Sequence, residues 1–152
     1  ALFHGQHYRS SFINNLAFGG YNKSFEPART TCDWLTKDQQ IVDTYLDHPW
    51  CTFMFTVNAY RHMFRGIRFT QNSSNISGIP KDLPLLITSG AEDPVGNFGK
   101  GVRQVYNTYL KAGLRDVTLT LYDNDRHEIL NETDRDKVYS DLLAWMEAKL
   151  PE

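Results

Sequence analysis

A chain of 152 residues is long enough for one domain with its own hydrophobic core and does not require two. Hydrophobic residues make up 41% and charged ones 22%, a globular composition that excludes a disordered or fibrous protein. The 16 basic and 18 acidic side chains are mixed along the chain and sum to −2, so no field gathers nucleic acid or an anionic membrane, and a small or neutral partner is expected.

No run of about 18 apolar residues occurs, so no transmembrane helix is expected. Cys32 and Cys51 are spaced unlike a zinc motif and do not by themselves imply a disulfide, which favours a reducing, cytoplasmic setting. Ala1-Leu2-Phe3-His4-Gly5 carries neither an initiator Met nor a cleavage signature, and the expectation is that the chain starts inside a longer protein.

In chain order, two textures meet at Gly78-Ile79-Pro80-Lys81-Asp82. Residues 1–80 are rich in aromatics and Asn with little strand patterning, and read as short helices joined by polar turns. Thr36-Lys37-Asp38-Gln39 fits a capping box ahead of Ile41, Val42, Tyr45 and Leu46 at helical spacing, with Pro49 ending the run. A second helix is expected from Val57 to Phe69, with Tyr60, Phe64 and Ile67 on one face.

Residues 81–152 alternate strand and helix. Leu85-Leu86-Ile87 behind Pro84 is a continuous apolar run, as in a strand buried on both faces of a parallel sheet. A helix from Gly99 to Ala112 turns Val102, Val105, Tyr106, Tyr109 and Leu110 inward, with Gly113 at the position of a left-handed cap. Val117 to Tyr122 alternates apolar and polar residues, the pattern of a strand with one buried face, and Arg135 to Leu150 closes the chain as a helix. The order is βαβα with two parallel strands, and a further strand is expected beside Leu85 to Ser89, from a missing segment, a partner or a second copy.

Two polar stretches follow these strands: Ser89-Gly90-Ala91-Glu92-Asp93-Pro94-Val95-Gly96 and Asp125-Arg126-His127-Glu128-Ile129-Leu130-Asn131-Glu132. Adjacent parallel strands lie about 4.8 Å apart, so the loops leave the same sheet edge as neighbours, where ligand sites of open α/β sheets form. Taken singly, Asp93-Pro94 reads as the start of a turn and His127 as a cap of the last helix. Taken together, on adjacent strand ends, a carboxylate and an imidazole form the kind of pair that fixes a tautomer and readies a proton acceptor.

In its wording, Ser89-Gly-Ala-Glu-Asp-Pro-Val-Gly, Lys100-Gly-Val and Arg126-His-Glu-Ile-Leu-Asn-Glu, the second half resembles the end of an α/β-hydrolase of the lysophospholipase, monoacylglycerol lipase or serine aminopeptidase kind. Asn22-Lys23-Ser24-Phe25 and Thr31-Cys32-Asp33-Trp34-Leu35 resemble the cap such proteins insert before the acid strand. The resemblance implies a helical cap-like segment over residues 1–80, followed by the C-terminal βαβα part of the α/β-hydrolase core. It implies Asp93 as triad acid and His127 as base, with Glu92 the competing acid and Glu128 a neighbour that orients the histidine loop. It implies a serine hydrolase cleaving carboxylic esters of lipid-like or small acyl substrates through an acyl-enzyme, with no cofactor.

The family's Gly-x-Ser-x-Gly elbow does not occur, so the nucleophile and oxyanion hole are expected outside this sequence and the segment alone is expected to be inactive. Two other outcomes stay open. The same fold hosts peptidases, thioesterases, epoxide hydrolases and dehalogenases, and a non-catalytic module that self-associates through its unpaired strand edge, or pairs with a catalytic partner, fits the same pattern.

Weaker signals carry less. His4 and His7 sit three apart without clustered carboxylates or Cys, which argues against a metal. Trp50, Phe53, Met54, Phe55, Met63 and Phe64 suit either core packing or an apolar substrate channel. Asn72-Ser73-Ser74 and Asn75-Ile76-Ser77 match the glycosylation pattern inside an Asn- and Ser-rich linker, and Gly99-Lys100-Gly101 lacks the spacing of a phosphate loop.

Overall fold

Apolar runs and their punctuation place two parallel strands, β1 (Leu85–Gly90) and β2 (Val117–Tyr122), in register from Leu85 opposite Val117 to Gly90 opposite Tyr122. This is a computed structural model, and it describes residues 5–150. Helix α5 (Lys100–Lys111) makes the crossover between the strands. Its ends are set by glycines in the left-handed region, Gly99 at φ 76° and Gly113 at φ 93°, where a side chain would be strained.

Helices α1 (Ser11–Phe18), α2 (Gln39–Asp47), α3 (Val57–Thr70) and α4 (Ser73–Ser77) precede the sheet, and α6 (Arg135–Glu147) follows it. Each of the first four starts on a polar side chain that satisfies orphan N–H groups: Ser10, Asp38, Thr56 and Asn72. The cap of α2 differs from the expected Thr36. Asp38 accepts from the N–H groups of Gln40 and Ile41, while the Thr36 hydroxyl turns toward Glu132. The carboxylate is the stronger cap because its charge also complements the positive end of the helix dipole.

Buried apolar residues fall into both halves: Leu35, Val42, Tyr60 and Ile76 in the helical part, and Leu114, Tyr122 and Val138 around the sheet. Tyr60 is 1% exposed and its hydroxyl donates to Asn14 Oδ1 at 2.7 Å, tying α3 to α1. Burying such a ring contributes roughly 2 kcal/mol or more from apolar area. The rest of the expected α3 face, Phe64 and Ile67, is exposed.

Burial of β1 departs from expectation. Leu85 to Thr88 are half-buried and only Ser89 and Gly90 are buried. Among the described residues β1 pairs with β2 alone. Its other side borders an open cavity of about 800 Å³ lined by Ile87, Val102, Val105 and Tyr109, so one face of α5 stays uncovered. On the far side Trp145 Nε1 donates to Thr118 Oγ1 at 3.3 Å and seats α6 beside β2.

Candidate active site

Both polar loops leave the carboxyl ends of the strands and are stitched together at once. Ala91 N–H donates to the Tyr122 carbonyl and Glu92 N–H to the Asp125 carbonyl, each at 2.8 Å. Gly90 is required at this junction, since a Cβ there would overlap the carbonyl oxygens of Asp125 and Arg126.

Asp93 does open a turn, as the Asp-Pro pair suggests. Its Oδ1 accepts from Val95 N–H at 2.8 Å, and its carbonyl accepts from Phe98 N–H at 2.8 Å. The turn leaves Oδ2 directed at the histidine loop, where it lies 3.1 Å from His127 Nδ1. The local turn and the imidazole contact therefore use different oxygens of one carboxylate. Asp93 is 6% exposed, whereas the His127 side chain is 37% exposed. With Nδ1 engaged, Nε2 is the nitrogen available to exchange a proton.

Electrostatics match that geometry. Burial alone would raise the Asp93 carboxyl, but the hydrogen bond and charge of His127, with the N–H groups of Val95 and Gly96, outweigh it and hold the carboxyl below its ordinary value. His127 is shifted upward, first by the hydrogen bond it donates to Asp93 and against the effect of burial, with the Asp93 and Glu128 charges adding to the rise.

Residues 33–37 form the other wall of the histidine loop. Trp34 and Leu35 carbonyls accept from the N–H groups of His127 and Glu128 at 3.4 and 2.8 Å, and the Trp34 ring lies 5.1 Å from the imidazole. Glu132, fully buried, accepts from Arg126 N–H at 2.8 Å through Oε1, and from Thr36 Oγ1 and Lys37 N–H at 3.0 and 3.1 Å through Oε2. Asp125, also fully buried, pairs with Lys37 Nζ at 3.1 Å, and burial pushes its carboxyl up. The Arg126 guanidinium stacks 4.2 Å over Phe25.

Other candidates separate clearly. Glu92 enters the loop junction through its backbone, with its N–H on the Asp125 carbonyl, and it is Asp93 whose carboxylate meets His127. Glu128 Oε2 accepts from Asn131 Nδ2 at 2.8 Å, bracing the turn after His127. Buried Ser89 Oγ donates to the Gly90 carbonyl and lies 3.5 Å from Asp93 Oδ2, on the acid side of the pair. His4 lies outside the described residues, and among those described no cluster of three His, Cys, Asp or Glu side chains could hold a metal. Cys32 and Cys51 are free thiols. No helix among the described residues is long and apolar enough to cross a membrane.

A second cavity, about 670 Å³, lies against the helical part and is lined by Phe18, Trp34, Tyr45, Trp50, Phe55 and Tyr60. Of the aromatic and Met residues singled out in the sequence, Trp50, Phe53 and Phe55 reach it, while Met54, Met63 and Phe64 do not line it. Trp34 is shared between this cavity and His127. Its part in the site, and those of Glu132 and Lys37, had no local sequence signal beyond the polar stretch in which Glu132 stands.

A family model described as serine aminopeptidase, S33, matches residues 4–134. No curated protein is a significant match by sequence. Among solved structures, a thermostable carboxyl esterase from Bacillus coagulans in complex with glycerol superposes with a TM-score of 0.86 at 23% identity, over 94% of this chain and 47% of the esterase. A lipase in an open form gives 0.82 at 23% identity, over 95% of this chain and 47% of the lipase. A soluble variant of monoglyceride lipase from Saccharomyces cerevisiae, in complex with a substrate analogue, gives 0.60 at 18% identity, over 94% of this chain and 53% of that one. The chain thus spans about half the length of these structures and shares the C-terminal part of their α/β-hydrolase fold.

Proposed function

Because the chain belongs to the serine aminopeptidase S33 family of α/β-hydrolases, we propose that it supplies the acid, Asp93, and the base, His127, of a serine hydrolase whose nucleophile lies outside these 152 residues. The observation that carries this reading is the 3.1 Å bond from Asp93 Oδ2 to His127 Nδ1 at the carboxyl ends of adjacent parallel strands. A carboxylic ester of a lipid-like or small alcohol is the substrate class favoured by the aromatic cavity that shares Trp34 with the site. The solved neighbours described as an esterase and lipases agree with that class.

In the mechanism, His127 Nε2 takes the proton of the serine hydroxyl as its oxygen attacks the ester carbonyl. The imidazolium, held by Asp93, returns that proton to the departing alcohol as the carbon–oxygen bond breaks, leaving an acyl-serine. His127 then takes a proton from water, hydroxide adds to the acyl carbon, and collapse of the tetrahedral species frees the acid and returns the proton to serine. Asp93 stays ionised throughout and fixes the tautomer. The cap-like role of residues 1–80 and the core role of residues 81–152 belong to the same reading.

The test uses the protein that contains this chain together with its nucleophile. A serine-directed fluorophosphonate should label it, and Asp93→Asn and His127→Ala should each abolish rapid labelling; undiminished labelling in both sinks the assignment. The 152-residue chain alone should neither label nor hydrolyse. A second reading draws on the unpaired side of β1: the chain self-associates or binds a partner there. A defined dimer of the isolated chain by sedimentation, with no labelling of the longer protein, favours it.

A further inference from the structure

The catalytic cycle above leaves two buried carboxylates unused, Asp125 and Glu132, and the bonds of Glu132 run straight to the histidine loop. We propose that Glu132 is a positioning residue for His127: its carboxylate ties the backbone just before His127 to residues 36–37 and thereby holds the imidazole at Asp93. The inference rests on His127 being the base.

Glu132 is fully buried, and a carboxylate in that position is strongly unfavourable unless every face of it is bonded. Here Oε1 takes the Arg126 N–H, one residue before His127, while Oε2 takes the Thr36 hydroxyl and the Lys37 N–H. Thr36 is itself 1% exposed, and its single O–H is shared between Glu132 Oε2 and the Asn131 carbonyl, each 3.0 Å away. The two oxygens thus point at two separate segments, which the Arg126 guanidinium on the Asp33 and Thr36 carbonyls and the Lys37–Asp125 pair also join.

The same two segments also meet through backbone, at Trp34–His127 and Leu35–Glu128. The His127 loop therefore hangs between the Trp34–Lys37 strip and the β1 end, where Gly90 and Glu92 abut Asp125 and Arg126. The charged groups around this tie are Asp125, bonded to Lys37 Nζ, Asp134, the Arg126 guanidinium on the Asp33 and Thr36 carbonyls, and Arg135 on the Glu132 carbonyl; those facing the imidazole are Asp93 and Glu128.

An amide cannot replace this carboxylate without loss. Whichever way Gln is turned, its NH2 faces an N–H donor, Arg126 on one side or Lys37 on the other. One half of the tie must open. A reacting group misplaced by about 1 Å costs on the order of 100-fold in rate, so loosening is read in turnover rather than in substrate affinity.

The experiment is steady-state hydrolysis of a p-nitrophenyl ester by the nucleophile-containing protein, at a temperature where near-UV circular dichroism reports each variant folded. Glu132→Gln should lower kcat roughly 10- to 100-fold with KM nearly unchanged. The acid limb of kcat/KM should move to lower pH, because a displaced imidazole loses the bond to Asp93 that raises it. Glu132→Asp, which keeps the charge, should recover part of kcat. If Glu132→Gln does not fold, Thr36→Val, which removes one donor, should give a roughly 3- to 10-fold loss of kcat and the same direction of limb shift.

Wild-type kcat and an unmoved acid limb in Glu132→Gln, or in Thr36→Val where Glu132→Gln is unfolded, overturn the positioning role. His127→Ala separates the two levels: activity in that variant removes the base assignment itself, whereas an inactive His127→Ala beside a wild-type-like Glu132→Gln removes only the inference about Glu132.

Discussion

The bond between Asp93 and His127 joins a buried carboxylate to a partly exposed ring, and each member shifts the other's titration. His127 is raised above its ordinary 6.5, so its contribution to stability is full below about pH 6.5 and lost as pH rises through the folded value. Asp93 is depressed below 3.8, so its contribution is present above that pH and lost as pH falls through the folded value. Between these limits both members contribute. Asp93→Asn is therefore expected to lower the urea midpoint more at pH 5.5 than at pH 8.5, a difference checked by equilibrium unfolding at the two pH values. In the nucleophile-containing protein, the acid limb of kcat/KM should lie above pH 6.5, and Asp93→Asn should cut kcat by about 10³- to 10⁴-fold through loss of the tautomer. The identity of this pair was legible in the sequence because Asp-Pro and the histidine stretch each follow a clear strand. Glu132 was not, because a charged residue in a polar stretch gives no sign that it folds inward; its burial depends on Thr36 and Lys37, nearly a hundred residues away.

At the level of elements, turn and cap chemistry reads well and face assignment reads less well. Strand β2 lies over the span its alternation predicts, and α5 ends where Gly113 takes a positive φ. The cap of α2 falls two residues after the Thr36 of the capping-box pattern because Thr36 is drawn away by Glu132. That division of labour is testable: Asp38→Ala should destabilise the chain by about 1 kcal/mol through the lost cap and leave kcat unchanged. Thermal unfolding and ester hydrolysis measure the two halves of that statement. The exposed stripe of α5 was expected to face inward, and Val105 instead borders the open side of β1, because periodicity reports which face is apolar and not what covers it. At the junction of the two loops, Gly90→Ala would force the β1 end from Asp125 and Arg126. A loss of about 2–4 kcal/mol in unfolding free energy is expected, with His127 displaced as a consequence.

For the molecule as a whole, the helical part and the βαβα part meet where residues 33–37 run beside the histidine loop. The Trp34 ring packs on the imidazole and also walls the aromatic cavity. A protonated imidazole quenches a neighbouring indole, so this contact makes the protein its own optical pH electrode. Emission from Trp34 should brighten as pH rises through the raised value of His127, and that step should vanish in His127→Gln, with Trp50, whose ring lies 5.5 Å from that of His48, replaced by Phe in both proteins so that it adds no pH response of its own. A ligand entering the aromatic cavity would disturb the same ring, so one fluorescence signal would report both the charge of His127 and the filling of the cavity beside it.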